Sequence, residues 1–115
     1  MRRLFLTFLL LSSTHSALAE SLDFSQCAFP ETAPEIPIGS EATQTDMAAA
    51  SAAVRTYASE MQDGLACIDA IGNQLDENAT EETRLSVNNA YNAKYDEMLE
   101  IVESFNAEIR AFRAK

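Results

Sequence analysis

The sequence predicts an all-α protein: a two-helix antiparallel hairpin, coiled-coil-like, with an extended Pro-rich N-terminal arm tied to it by one disulfide. Three observations predict it. Two apolar seams at alternating three- and four-residue steps occupy the C-terminal part of the chain, joined by a short polar link. All three prolines, Pro30, Pro34 and Pro37, precede the first seam. The two cysteines, Cys27 and Cys67, are divided between the proline-rich segment and that seam.

The chain opens on the three-part pattern of an exported protein. Arg2 and Arg3 form a basic start, Leu4 to Leu11 an apolar run, and Ala17-Leu18-Ala19 a small-x-small cleavage site. Residues 1–19 are therefore expected to be a signal peptide, cut between Ala19 and Glu20. The apolar run is far short of the roughly 20 residues that span a bilayer. Cys27 lies too far beyond it to carry a lipid. The mature protein is thus expected in the periplasm, or secreted, with no stable membrane anchor.

Cleavage also removes His15, the chain's one histidine, and two of its arginines. The mature chain is then two units more negative than the −10 of the whole sequence. Such an acidic chain is not built for nucleic acid or an anionic membrane surface, both of which need Lys and Arg against phosphate. In an exported chain a lone cysteine pair reads as one structural disulfide. Forty positions separate the two, which excludes a Cys-x-x-Cys redox motif.

Residues 20–42 form the arm. Prolines fix φ and remove donors, so the segment runs extended. Its apolar residues Leu22, Phe24, Phe29, Ile36 and Ile38 still need a surface to cover. Helix one is expected over about 45–75, capped by Thr43 or Thr45 with Asp46 at the positive end of its dipole. Met47, Val54, Met61, Ile68 and Leu75 recur every seven residues, and Ala50, Tyr57, Gly64 and Ile71 fall three after the first four. The other faces are rich in small residues, and Gly72-Asn73 invites an early end. Asp76 to Ala79 form the link.

Helix two is expected over about 80–113, with Asn78 or Thr80 as its cap and Glu81 and Glu82 in its first turn. Its seam is Tyr91, Tyr95, Met98, Val102, Phe105, Ile109 and Phe112, widened by Leu85, Leu99 and Ile101. Asp96, Glu97, Glu100 and Glu103 fall on the outer face. A short link between long seams makes the helices antiparallel neighbours. The chain from Cys27 to Met47 is long enough to double back along helix one. The tie would then lay Phe29, Ile36 and Ile38 beside the groove between the helices.

The pattern Cys27-x-x-Pro30, Pro34-x-Ile36-Pro37-x-Gly39, then Met47, Val54, Tyr57 and Cys67 resembles a group of small exported proteobacterial proteins of unknown function. The resemblance implies a bacterial periplasmic setting and no particular activity.

Catalytic chemistry finds no footing in the residue types. A Ser or Cys nucleophile normally needs a base, and the mature chain has no histidine. Its three glycines are isolated and make no phosphate loop. The acidic run at the link lacks EF-hand spacing and reads as helix capping. No catalytic residue, cofactor or metal site is assigned. The expected activity is macromolecular binding, to an unknown protein partner or as a homodimer, with the aromatic stripe Tyr57, Tyr91, Tyr95, Phe105 and Phe112 as a possible interaction seam. Two other readings stand beside it: a periplasmic chaperone or inhibitor of cationic proteins, and a carrier of small apolar ligands.

Overall fold

The computed structural model describes residues 22–115. The expected signal peptide and its expected cleavage site at Ala19–Glu20 lie outside the described residues. Two helices follow the arm, α1 over Gln44–Asn73 and α2 over Glu81–Arg113, and they pack as an antiparallel hairpin. At 1.5 Å per residue they are about 45 and 50 Å long.

Local chemistry fixes the helix ends. Thr43 caps α1 in a reciprocal box: the Asp46 N–H donates to Thr43 Oγ1 (3.1 Å) and the Thr43 N–H donates to Asp46 Oδ2 (2.9 Å). These bonds from Thr43 hold the Asp46 carboxyl below its ordinary pKa. Thr80 caps α2, accepting from the Thr83 N–H at 3.1 Å. α1 stops at Asn73, just past Gly72, so Leu75 belongs to the link.

Three apolar layers run along the hairpin, and each is built from α1, α2 and the arm. Near the chain ends Met47, Ala50, Val54 and Phe105 enclose Ala42, with Ile36 against them. In the middle Tyr57, Met61, Leu65 and Met98 pack with Phe29. Near the link Ile68 and Val87 close on Cys27, with Leu22 and Phe24 alongside. Two helices alone bury too little to hold together in water. The arm supplies the missing third layer.

The arm runs antiparallel to α1. The Cys27–Cys67 disulfide pins one end, with the Cα atoms 5.5 Å apart. Phe29 then lies on Gly64 of α1, while Lys94 of α2 sits over its ring at 5.0 Å. At the other end the Gly39 N–H donates to Glu108 Oε2 at 2.6 Å. The chain turns there, Glu41 and Ala42 both donating to the Ile38 carbonyl, and enters α1. Lys115 donates back to the Ala42 carbonyl and covers Phe112.

Two glycines admit this arm, and neither has positive φ. A Cβ on Gly64 would meet the Phe29 ring, with Cδ1 at 2.6 Å. A Cβ on Gly39 would meet α2 backbone, with the Glu108 carbonyl carbon at 2.8 Å and the Phe112 nitrogen at 3.0 Å.

Three expectations are corrected, the first being Leu85, expected to widen the α2 stripe but 50% exposed. Ile38 was expected beside the groove, but it is 59% exposed because it heads the turn into α1. Tyr95 was expected within the seam and is 40% exposed. The α2 seam runs instead through Val87, Tyr91, Met98 and Phe105, and half-buried Lys94 meets the arm.

Gly39→Ala should cost about 1–3 kcal/mol, because helix backbone cannot yield to the new methyl. Gly64→Ala should cost less, since about 1 kcal/mol of helix propensity offsets the displaced ring. Urea unfolding of the two variants checks the order. Reducing the disulfide should remove roughly 4 kcal/mol through the freed loop. Chemical unfolding with and without reductant measures that loss.

Candidate functional site

A two-helix hairpin has two grooves, one along each side of the contact. Cys67, Glu60 and Ala53 follow one edge of α1, and the arm lies along that edge. It fills one groove, and none of the described arm residues covers the other.

Two openings mark the uncovered groove, and no arm residue lines either. One, nearer the link, is bounded by Gln62, Leu65, Ala66 and Asp69 of α1 and by Tyr91, Tyr95 and Met98 of α2. The second, nearer the chain ends, lies between Gln44, Met47, Ala48 and Ser51 and the α2 residues Phe105, Ile109, Phe112 and Arg113. Between them Ala58 and Val102 are half-buried. Tyr91 and Tyr95, one turn apart, stack with ring centroids 6.3 Å apart and form a ledge at the first opening.

The charge on this face differs from the rest of the molecule. Asp69 is the one carboxylate lining either opening, and Arg113 the one cation. The openings on the arm side and at the link carry Glu60, Asp46 with Glu35, and Asp76 with Glu82. A chain with 18 carboxylates against 8 Lys and Arg therefore keeps one long face almost free of negative charge. That face also holds Tyr95, Leu99, Val102 and Ile109, none of them fully buried.

The residues of the aromatic stripe take different places. Tyr57 and Phe105 are core. Tyr91 and Phe112 are half-buried at the groove, and Tyr95 stands out on the ledge. The arm-free face thus gathers Tyr91, Tyr95, Phe105 and Phe112, while Tyr57 lies within. Leu65, Val87 and Ala42 are buried residues that the seven-residue count passes over. Among the described residues no group of three His, Cys, Asp or Glu could hold a metal ion. Nor is any helix there long and apolar enough to cross a membrane.

Tyr57 is unusual within the core. Its hydroxyl is buried and has no hydrogen-bond partner among the described residues. Burial, followed by the charges of Glu97 and Glu100, pushes its pKa above the ordinary 10.0. Phenols normally find a partner when buried.

Compared with protein-family models, curated proteins and solved structures, the chain matches none.

Tyr57→Phe should stabilise the protein by about 1–2 kcal/mol, because the unpaired hydroxyl carries an uncompensated desolvation cost. The same group makes stability pH-dependent. A folded-state pKa raised above the unfolded value means the folded state holds its proton more tightly. Its contribution is complete below pH 10 and is lost as pH rises through the folded value. Thermal unfolding between neutral and strongly alkaline pH should show a fall that Tyr57→Phe reduces.

Proposed function

We propose that this chain is an exported, periplasmic, non-enzymatic protein that acts by binding another macromolecule through the arm-free face of its hairpin. The observation that carries the reading is that face: a long groove, apolar along α2, uncovered by the arm and nearly without carboxylates in an acidic protein. Protein interfaces are depleted of charge at their centre and enriched in Tyr, Phe, Met and Arg. Stacked Tyr91 and Tyr95, Phe112 and Arg113 match that composition. The protein's own side chains fill the seam beneath: Met61 and Ile68 are each 1% exposed. This favours contact at the surface over a ligand carried inside.

The alternative, a chaperone or inhibitor for cationic proteins, would use the acidic outer surface of α2, where Asp96, Glu97 and Glu100 are exposed. Salt separates the two, because contacts between exposed charges weaken as ionic strength rises.

A photo-crosslinking residue placed in turn at Tyr95, Leu99 and Ile109, in cells that export the chain, should yield crosslinked protein species. The same residue at Glu60 or Glu97 should yield none. Crosslinks confined to the acidic positions and abolished by salt would overturn the reading in favour of the cationic-client alternative.

A further inference from the structure

We propose that the partner on the arm-free face is a second copy of the chain, and that the two hairpins lie parallel about a two-fold axis along the helices. α2 of each copy then covers α1 of the other, giving a four-helix bundle with both arms outside. The inference deepens the reading of that face as an interaction surface and rests on it.

Shape is the first argument. On this face the two helices are unequal: α2 carries Tyr95, Leu99, Val102 and Ile109, whereas α1 carries the small Ala48, Ser51 and Ala58 among the polar Gln44, Gln62 and Asp69. An isologous interface requires one patch to hold both the protruding and the receiving halves. A parallel two-fold sets the large side chains of α2 onto the small ones of α1, twice. An antiparallel two-fold would set α2 on α2 and crowd large against large.

The register follows from the hairpin itself. Gly72 lies against Val87, and Met47 and Ala48 line one opening with Ile109. Arg55 and Glu103 are therefore level with each other, on different helices. Both are exposed, and they form no ion pair within the chain, where the one salt bridge among the described residues joins Lys94 and Glu97. Across a parallel two-fold each Arg55 stands beside the partner copy's carboxylate at position 103, on the rim of the bundle. The antiparallel arrangement would instead set α1 on α1 and leave Arg55 and Glu103 of the partner copy on opposite edges.

Charge and area agree with this occupant. Two copies of so acidic a chain repel one another, and the arm-free face is where the fewest carboxylates meet. Helices about 45 Å long with axes 8–10 Å apart present a face of about 800 Å² per copy. A standard stable interface buries about that much on each partner.

Sedimentation equilibrium of the oxidised protein, purified after export of the full chain, should give a dimer at micromolar concentration. Tyr95→Glu, at an exposed position, should give monomer with an unchanged helical spectrum. Arg55→Glu alone and Glu103→Arg alone should each raise the dimer dissociation constant about tenfold, since each sets like charges together at both ends of the pair. Mixing these two variants should restore wild-type affinity, because every pair in the mixed dimer is again opposite in sign. That rescue arises only between copies. Monomer at high micromolar concentration would overturn the proposal, while crosslinks at Tyr95 to a different protein would leave the interaction face standing. A dimer indifferent to Tyr95→Glu would overturn the choice of face. Single variants that weaken the dimer without rescue on mixing would overturn the parallel arrangement.

Discussion

The clamp between Cys27 and Cys67 decides the rest of the architecture. Two long helices joined by a short link have a single line of contact and two flanking grooves, and neither helix can bury its apolar stripe against the other alone. Joining the arm to position 67 holds the missing layer at high effective concentration beside the groove it must fill. Position 67 lies on one flank of the α1 seam, so the bond also selects the groove. Everything downstream of the disulfide then follows in order along α1: Phe29 at Gly64, the prolines past Tyr57, Ile36 at the first layer and Gly39 against α2.

An extended arm brings no helical ridges to interlock, so the contact works by removing side chains. Gly64 clears a seat for one aromatic ring, and Gly39 lets backbone meet backbone. Prolines suit the stretch between, because they lower the entropy lost on ordering and leave few N–H groups to satisfy. The Gly39 N–H, which does need a partner, finds Glu108. The arm is thus held covalently at one end and by hydrogen bonds at the other, and three apolar layers share the load between them.

Much of this was legible in the residues. The seven-residue recurrence from Met47 to Ile68 placed the α1 core, the link and caps fell where Thr43 and Thr80 lie, and the cysteine pair gave the tie. The α2 seam was harder to read. Counting from Tyr91 by fours and threes led to Met98 and Phe105, which are buried, but also to Tyr95, which is exposed, and it missed buried Val87. A helix of 3.6 residues per turn drifts against a strict heptad, and here the arm claims part of the surface that the drift would expose. Lys94, polar by type, serves the packing through its stem and its charge over Phe29. Residue type alone could not reveal that, since the ring it covers is 65 positions away in sequence. Ile38 was misplaced for a related reason: a turn held by one carbonyl, accepting from both Glu41 and Ala42, outweighed the pull of a single apolar side chain.

The candidate face was not legible, because it is defined by what the arm does not cover. Once the arm is placed, the asymmetry between the grooves acquires a physical meaning. On the arm side, Gly64 and Ala53 are small enough to admit a strand-like segment, and acidic residues border it. On the other side α2 keeps Tyr95, Leu99, Val102 and Ile109 in a chain whose remaining surface is acidic. Exposed apolar side chains scattered singly need no explanation, but a row of Tyr95, Leu99, Val102 and Ile109 over about four turns, the first exposed and the others part-buried, does. If that face existed only to support the hairpin, carboxylates lining its openings would cost nothing and would add solubility. Their scarcity, with small residues on one helix level with large ones on the other, is the arrangement expected of a surface that closes on a partner.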